Sequence, residues 1–211
     1  MNKKNIVIVG NGGFAKEVEW MLARINSQNP VWNFLGFISN GSVNRHGHVI
    51  GDDSFVLEAK ESLCVVIAIG DSNVRKKLYL MYQQNKNIHF PNLVDPSVMW
   101  STHVKMGRGN IICAGSIITV DVELGNCCII NLNCTIGHEV RLGDYVTVNP
   151  GANISGNVTI GANVSIGTGS QVIQGIKIED NVTLGAGGVV VKNLPKGCTA
   201  VGVPAKIIKY L

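Results

Sequence analysis

The sequence is poor in charged and aromatic side chains, and no part of it is strongly basic. Only 15% of the residues are charged and 6% are aromatic, while the formal net charge is +4. A chain without a basic block or stripe lacks the electrostatic footprint of nucleic-acid binding, so we expect no nucleic-acid partner. Disorder is also excluded, because 45% of the residues are hydrophobic and can form a core.

Long apolar runs are missing as well. No run approaches the ~18 residues that a membrane span requires, so we expect no membrane insertion. The apolar run before Gly10 follows two lysines but is too short for a signal peptide.

The six cysteines form no CxxC pair and show no spacing typical of a zinc site or a disulfide framework. Two of them, Cys128 and Cys134, fall where the repeat described below has small residues. We expect both to be buried as small hydrophobic side chains. The cysteine pattern therefore predicts reduced thiols and a cytoplasmic location.

What the chain does contain is a six-residue repeat. An aliphatic residue is often followed by glycine, and four residues after it comes a small or β-branched side chain. This period fits neither a helix nor a simple hairpin meander, and it predicts a solenoid of short strands and corners. The aliphatic positions are Leu124, Ile130, Ile136, Leu142, Val148, Ile154, Ile160, Ile166, Val172, Ile178, Leu184 and Val190.

Three such strands and corners would close a coil of 18 residues, and stacked coils pair as parallel strands about 4.8 Å apart. The repeat therefore predicts a parallel β-helix filled by its aliphatic side chains. A β-sandwich would need polar turn clusters every 8–12 residues. Ahead of the strict repeat the aliphatic spacing alternates between six and seven: Val98, Val104, Ile111, Ile117 and Leu124. Single-residue insertions near Asn110 and Glu123 would account for this spacing.

The N-terminal part has a different pattern. A buried strand is predicted at residues 5–9, a glycine turn at 10–15 and a helix from Phe14 to Ile25. Strand, glycine turn and helix in this order can hold a phosphate at the helix N-terminus, and the turn fits G-x-G-x-x-A. The second predicted strand, 32–38, is not followed directly by the acidic residue that would hold a ribose, which argues against NAD.

Three loops should meet at one edge of this sheet, because ligands of open α/β sheets bind beyond the carboxyl ends of the strands. With a third strand at 63–69, these loops are 10–15, 39–41 and 70–75. Arg75 is the best candidate among them for a phosphate or base contact, although an arginine in a first helical turn is often only solvated.

Prolines make the segment after residue 88 extended, and we place the domain boundary there. The prediction is an α/β Rossmann-like domain at 1–88. A β-helix domain with a C-terminal cap follows at 89–211.

His138 is the best candidate for a base in the repeat. With 18 residues per coil, it should lie about 5 Å from the backbone of Gly156, beside a column of small residues. The carboxylate of Glu139 could bond to one ring nitrogen and leave the other as a base. Because adjacent strand side chains diverge, this pairing requires the corner to bend between the two residues.

His103 is the other histidine of the repeat. A zinc enzyme on this scaffold, such as a β-helical carbonic anhydrase, would need about three converging histidines. His103 and His138 occupy different hexad positions and have no third partner, so we expect no metal.

Six further motifs lie along the chain: Ile-Val-Ile-Val-Gly-Asn-Gly-Gly-Phe-Ala-Lys-Glu-Val at 6–18, Gly-Phe-Ile at 36–38, Ala-Ile-Gly-Asp at 68–71, Phe-Pro-Asn-Leu-Val at 90–94, Ile-Gly-His-Glu at 136–139 and Gly-Val-Pro-Ala-Lys at 202–206. On these motifs the whole sequence resembles the hexapeptide-repeat acyltransferases of the sialic acid O-acetyltransferase and nucleotide-sugar N-acetyltransferase type. The resemblance covers essentially all 211 residues.

The resemblance implies a left-handed β-helix and a homotrimer with active sites between neighbouring β-helices. It also implies that His138 is the general base and that Glu139 supports it. The positions that match the acetyl-CoA site are Thr147, Gly156, Thr168 and Ala186. At Thr147 the family has a second histidine near the acetyl group.

The resemblance also marks a nucleotide-sugar side in the first domain. The matching positions are Gly12, Gly13, Phe14, Ser39, Asn40, Gly70, Asp71 and Arg75. The family usually has histidine at the position of Phe14 and acidic residues at those of Ser39 and Asn40. These differences concern the nucleotide and the sugar that bind.

We therefore expect an N-acetyltransferase that uses acetyl-CoA and acts on a nucleotide-linked amino sugar in bacterial glycan biosynthesis. A UDP- or dTDP-linked 4-amino sugar is an example, and the transfer should be direct. A sugar O-acetyltransferase of the sialic acid type would use the same fold and base. A non-catalytic scaffold that binds nucleotide sugars would need only the α/β domain.

Overall fold

The first half of the chain folds around a parallel β-sheet. The computed structural model describes residues 3–41 and 48–210, which fall into two compact units, Met1–Pro96 and Ser97–Leu211. The elements of the first unit are β1 (Lys4–Val9), α1 (Gly13–Gln28), β2 (Trp32–Ile38), β3 (Val49–Gly51), α2 (Asp53–Leu57), β4 (Leu63–Ile67), α3 (Ser72–Tyr82), β5 (Ile88–His89) and β6 (Leu93–Val94).

The sheet order β3-β2-β1-β4-β5, with every neighbouring pair parallel, is that of a Rossmann-like domain. The two central strands are apolar without alternation, because strands of a parallel sheet are covered on both faces. Ile6 to Ile8 in β1 are fully buried, and Val65 and Val66 in β4 are at most 1% exposed. The predicted strands and helices are confirmed, although β4 ends at Ile67, two residues before the expected end.

The short elements β3 and α2 were not predicted from the sequence. With three and five residues, they are too short to show a clear period. Asp52 begins α2 as its N-cap, where its side chain accepts hydrogen bonds from the hydroxyl and the backbone N–H of Ser54. These bonds hold the pKa of Asp52 below its usual value.

The first unit extends to Pro96, beyond the boundary expected near residue 88. Two contacts explain the difference. Strand β5 adds to the sheet beside β4, with Leu63 opposite Ile88. Farther along, the guanidinium of Arg24 donates to both carboxylate oxygens of Asp95, at 2.7 and 3.0 Å. Asp95 is only 2% exposed, so this ion pair fixes the extended segment to α1.

The second unit consists of two-residue strands that recur every six residues and form a left-handed parallel β-helix. The strands are β7 (Met99–Trp100), β8 (Lys105–Met106), β9 (Ile111–Ile112), β10 (Ile117–Ile118), β11 (Glu123–Leu124), β12 (Ile129–Ile130), β13 (Thr135–Ile136), β14 (Arg141–Leu142), β15 (Thr147–Val148), β16 (Asn153–Ile154), β17 (Thr159–Ile160), β18 (Ser165–Ile166), β19 (Gln171–Val172), β20 (Lys177–Ile178), β21 (Thr183–Leu184) and β22 (Val189–Val190). Each strand from β7 to β19 pairs in parallel with the strand 18 residues further along, so Ile136 lies opposite Ile154. The 18-residue coil is confirmed.

The corners repeat as strictly as the strands. Every sixth residue from Gly109 to Gly187 has a positive φ. Glycine and asparagine tolerate this conformation best, and they occupy ten of these fourteen positions. The corners therefore explain why the sequence has glycine and asparagine at regular intervals.

The two expected single-residue insertions are wrong. The strands keep a strict six-residue spacing from Met99 onward, and the inward position in the first coils is held by Trp100, Met106 and Ile112. Trp100 and Met106 are not aliphatic markers, and Trp100 is 48% exposed in the first coil. Ile111 and Ile112 are both aliphatic and buried, although Ile111 is the outward residue of the strand. The aliphatic pattern alone therefore does not distinguish the inward residue from the outward one.

The β-helix core contains the cysteines that were expected inside. Cys128 and Cys134 are fully buried at the small-residue positions, and the other four cysteines are buried as well. Beyond the last full coil, β23 (Cys198–Val201) stacks in parallel on β21. Strand β24 (Lys206–Tyr210) then pairs antiparallel with β23 and covers its open edge. Across the described ranges, no helix is long and apolar enough to cross a membrane.

Side chains at one corner tie successive coils together. The carboxylate of Asp144 accepts hydrogen bonds from the backbone N–H and the side-chain amide of Asn126, at 2.7 and 3.0 Å.

We predict that Asp144→Ala lowers the free energy of unfolding by about 1–3 kcal/mol, because the part-buried N–H of Asn126 loses its acceptor. Chemical denaturation measures this change. The control is Glu123→Ala, which removes an exposed carboxylate and should change the free energy by under about 1 kcal/mol. Equal losses in the two variants would contradict the prediction.

Candidate active site

His138 and Glu139 lie at the corner that connects β13 to β14. The backbone N–H of Asn157, one coil further along, donates to the carbonyl oxygen of His138 at 2.7 Å. The imidazole points outward, with its side chain 51% exposed, and the side chain of Glu139 is 63% exposed. Neighbouring coils therefore hold the backbone while both side chains remain accessible.

The corner bends the backbone between these two residues, as their pairing requires. Glu139 has a φ of +60°, the left-handed conformation of the corner positions. Its carboxylate Oε2 lies 3.0 Å from Nδ1 of His138. Since an ionised carboxylate only accepts hydrogen bonds, Nδ1 carries the proton and Nε2 keeps its lone pair. The dyad thus presents one basic nitrogen to the surface.

Gly156 lies directly beneath the His138 ring, one coil further along, as counting in coils of 18 predicted. A Cβ atom built at Gly156 would lie 2.5 Å from Cε1 and 2.8 Å from Cδ2 of the imidazole. Any larger residue would displace the ring. The glycine is therefore required by the position of the histidine and not by its own backbone, which has no positive φ.

The other residues that match the acetyl-CoA site lie elsewhere on the β-helix. Thr168 and Ala186 occupy the corner after the sheet that contains β15, whereas Gly156 belongs to the His138 corner. Thr147 is in β15 itself and is only 5% exposed. One chain therefore does not bring all four residues into a single groove.

A charged groove of about 270 Å³ runs beside the dyad and was not predicted from the sequence. Glu139 and Arg141 line it, together with residues of earlier coils. Glu123 lies 3.5 Å from Nζ of Lys105 and 3.6 Å from Nε of Arg141, so its carboxylate is between two cations. The alternation follows from the 18-residue stacking of outward strand positions, which could have been read from the sequence.

The first unit has its own cavity at the carboxyl ends of its strands. It measures about 350 Å³ and is lined by residues of all three predicted loops, among them Gly10, Ser39, Asn40 and Val74. The convergence of the loops is confirmed. Gly10 shapes this edge, because it has a φ of +116° and its Cβ position lies 2.9 Å from the carbonyl oxygen of Ala68.

Other expected nucleotide-sugar positions surround this edge without lining the cavity. Gly12 and Gly13 are exposed at the start of α1, with open space where a Cβ would lie, and Phe14 is half-buried. Gly70 is exposed with similar open space. Asp71 is the N-cap of α3, where its Oδ1 accepts from two backbone N–H groups.

Arg75 is neither the solvated residue nor the surface contact that the sequence suggested. It is 1% exposed, and its Nη1 donates to the carbonyl oxygens of Ile69 and Gly70, at 2.7 and 3.1 Å. The guanidinium is buried because it satisfies carbonyl groups of the loop before α3. Arg75 therefore fixes the shape of this loop from inside the unit.

Sequence reasoning missed Asp53 as a residue of this cavity. It begins α2, yet its side chain reaches the end of β2, where Nδ2 of Asn40 donates to it at 2.6 Å. Its position could not be inferred from the sequence, because the acid that holds a ribose in this kind of domain is expected directly after β2. Residues 3–41 and 48–210 contain no group of three or more potential metal ligands.

Comparison with known proteins places this architecture in a family. Residues 5–82 match the family described as the PglD N-terminal domain. A comparison with curated proteins found no match. Three of the similar solved structures, each from a different bacterium, cover 97% or 98% of this chain.

PerB from Caulobacter crescentus, solved with CoA and GDP-perosamine, is 32% identical, with a TM-score of 0.90 and 97% of each chain covered. The acetyltransferase domain of PglB from Neisseria gonorrhoeae FA1090, solved with acetyl coenzyme A, is 27% identical, with a TM-score of 0.89 and coverage of 98% of this chain and 100% of that chain. WeeI from Acinetobacter baumannii AYE is 28% identical, with a TM-score of 0.86 and the same coverage. With this fold, the dyad and a relative above 30% identity over its whole length, the chain belongs to the hexapeptide-repeat nucleotide-sugar acetyltransferase family.

Proposed function

We propose that the chain transfers the acetyl group of acetyl-CoA to the amino group of a nucleotide-linked sugar in bacterial glycan biosynthesis. The observation that carries this proposal is the His138–Glu139 dyad on the β-helix, with Nδ1 facing the carboxylate and Nε2 above Gly156. Two relatives support the two substrates: PerB was solved with CoA and GDP-perosamine, and the PglB domain with acetyl coenzyme A. The first unit, with its cavity, is the part that would hold the nucleotide.

His138 acts as the general base in this mechanism. Nε2 takes a proton from the sugar amine as its nitrogen forms a bond to the thioester carbonyl carbon. Glu139 stabilises the resulting imidazolium through Nδ1, and backbone N–H groups stabilise the oxyanion. When the carbon–sulfur bond breaks, the imidazolium returns the proton to the CoA thiolate. The charges therefore balance without another group.

The transfer is direct, without an acetyl-cysteine intermediate. All six cysteines are buried. Burial raises the pKa of the Cys134 thiol, which disfavours the reactive thiolate. The cysteine pattern, without the spacing of a disulfide framework, also supports a cytoplasmic location, where cysteines remain reduced.

A homotrimer would complete the acetyl-CoA site. The dyad and Gly156 lie at one corner of the β-helix, whereas Thr168 and Ala186 lie at another. A neighbouring copy that presents its Thr168 corner to the His138 corner would bring both sets of residues to one acetyl-CoA. The two corners of one chain would then belong to two different active sites.

We predict that His138→Ala lowers kcat by about 10²–10⁴-fold, because the reaction loses its general base. The measurement is release of free CoA thiol from acetyl-CoA in the presence of nucleotide-linked 4-amino sugars. The control is His103→Ala, which removes an exposed histidine that faces Asp121 and should retain activity. Release that occurs only with free sialic acid would instead indicate O-acetylation. An active His138→Ala variant would contradict the proposed role.

We predict that Glu139→Asn lowers kcat roughly 10- to 100-fold, because the carboxylate no longer stabilises the imidazolium. The free energy of unfolding should not decrease, since asparagine adopts positive φ more readily than glutamate. Kinetics and chemical denaturation of the same variant separate the two effects. The control is Asp121→Asn, which also replaces an acid with asparagine. Asp121 lies one coil earlier and has a φ of +57°. An equal loss of activity in both variants would contradict a specific role for Glu139.

We predict that Gly156→Ala displaces the imidazole and lowers kcat about tenfold or more, since even a 1 Å misplacement of a catalytic group can cost about 100-fold. The half-exposed ring can move, so the midpoint of thermal unfolding should change little. Kinetic constants and thermal unfolding of the purified variant provide the test. Full activity in Gly156→Ala would show that the ring position in this structure is not the reactive one.

A further inference from the structure

The cavity at the carboxyl ends of β1, β2 and β4 combines apolar walls with one carboxylate. Val74, Leu78 and Met81 of α3 form one wall, and Lys77 lines the cavity beside them. The carboxylate is that of Asp53, which comes from α2 and not from the loop after β2. Small-molecule sites commonly have this composition, with apolar walls and a few polar groups that orient the ligand.

Asn40 fixes the orientation of Asp53. Its side-chain Nδ2 donates to Oδ2 of Asp53 at 2.6 Å, and its Oδ1 accepts from the backbone N–H of Asp53 at 3.1 Å. The amide of Asn40 is thereby used at both ends. This reciprocal pair joins the end of β2 to the start of α2 and holds the carboxylate at the cavity.

Tyr82 holds the other oxygen of the same carboxylate. Its hydroxyl donates to Oδ1 of Asp53, and the residue is fully buried at the end of α3. Burial, together with the hydrogen bond to Asp53, raises the pKa of Tyr82 well above its usual value. The hydroxyl therefore keeps its proton and remains a donor.

The fixed carboxylate still has acceptor capacity on both oxygens. A carboxylate has about four lone-pair sites, and Asn40 and Tyr82 use one on each oxygen. Because the two oxygens of one carboxylate can accept from two donors at once, Asp53 suits a ligand with two adjacent hydrogen-bond donors. Nucleosides present such a pair in two ways: the 2′- and 3′-hydroxyls of ribose, and the N1–H and 2-amino group of guanine.

We propose that Asp53 anchors the nucleoside of the sugar nucleotide by accepting two hydrogen bonds from adjacent donors, either the ribose diol or the guanine edge. This inference rests on the proposed function, because it assigns the nucleotide end of the same substrate. Asp53, which lies in α2, thus takes the place of the nucleoside-binding acid expected at the end of β2. The apolar wall of α3 packs against the nucleoside.

A requirement for two adjacent donors discriminates between nucleotides. Thymidine diphosphate has neither a 2′-hydroxyl nor the guanine edge, so it offers no adjacent pair of donors. Sugars linked to dTDP should therefore bind poorly. Sugars linked to GDP offer both pairs, and sugars linked to UDP offer the ribose pair alone.

Isothermal titration of the intact protein with free nucleoside diphosphates tests the assignment, with GDP, UDP and dTDP as probes. We expect Asp53→Asn to weaken binding of the best ribonucleotide roughly 10- to 100-fold, as is typical for hydrogen bonds to a charged group. The matched control is Asp52→Asn, which neutralises the neighbouring acid outside this cavity. Asparagine caps helices as well as aspartate does, so this control should bind normally and fold normally. Thermal unfolding of both variants verifies that each is folded.

Inosine diphosphate and 2′-deoxyguanosine diphosphate distinguish the two sources of donors. Weak inosine diphosphate binding with normal deoxy-nucleotide binding identifies the guanine edge, and the reverse identifies the ribose diol. The proposal is overturned if Asp53→Asn binds like the wild type, or if dTDP binds as tightly as GDP and UDP. Wild-type protein that binds no nucleotide would contradict the proposed function itself. Normal binding by Asp53→Asn would contradict only the role of Asp53.

Discussion

The backbone hydrogen bonds between successive coils, which join residues 17 or 19 positions apart, determine most of what this β-helix can do. They fix the register of each coil on the next, and the register decides which outward side chains meet. The same bonds hold the carbonyl oxygen of His138 through Asn157, so the backbone that carries this imidazole is tied to the next coil. A corner with positive φ at every sixth residue is the condition for this stacking.

The contact between His138 and Glu139 depends on a backbone conformation that the fold imposes at every corner. Most corners have glycine or asparagine, which adopt positive φ at little cost. Glu139 occupies such a corner although a left-handed conformation costs an ordinary residue roughly 1–2 kcal/mol. Other interactions in the stack offset this cost. The left-handed backbone turns the carboxylate back toward Nδ1 of His138.

In the first unit the cavity is shaped by residues that do not line it. Arg75 is buried and bonds to the carbonyl oxygens before α3, and Asp71 caps that helix. Both had been expected at the ligand. Asp53, by contrast, lines the cavity although it comes from another element. Sequence motifs thus located the edge of the sheet at which the cavity lies, but they did not distinguish supporting side chains from those that line it.

The sequence by itself determined the fold class, the 18-residue coil and the contact between His138 and Gly156, because a strict period converts position in the chain directly into position in space. Where that period was carried by Trp100 and Met106, the sequence misplaced the register. Only the tertiary structure decided the burial of Arg75 and the approach of Asp53 to Asn40. These depend on how loops and corners far apart in the chain pack, which no local pattern encodes.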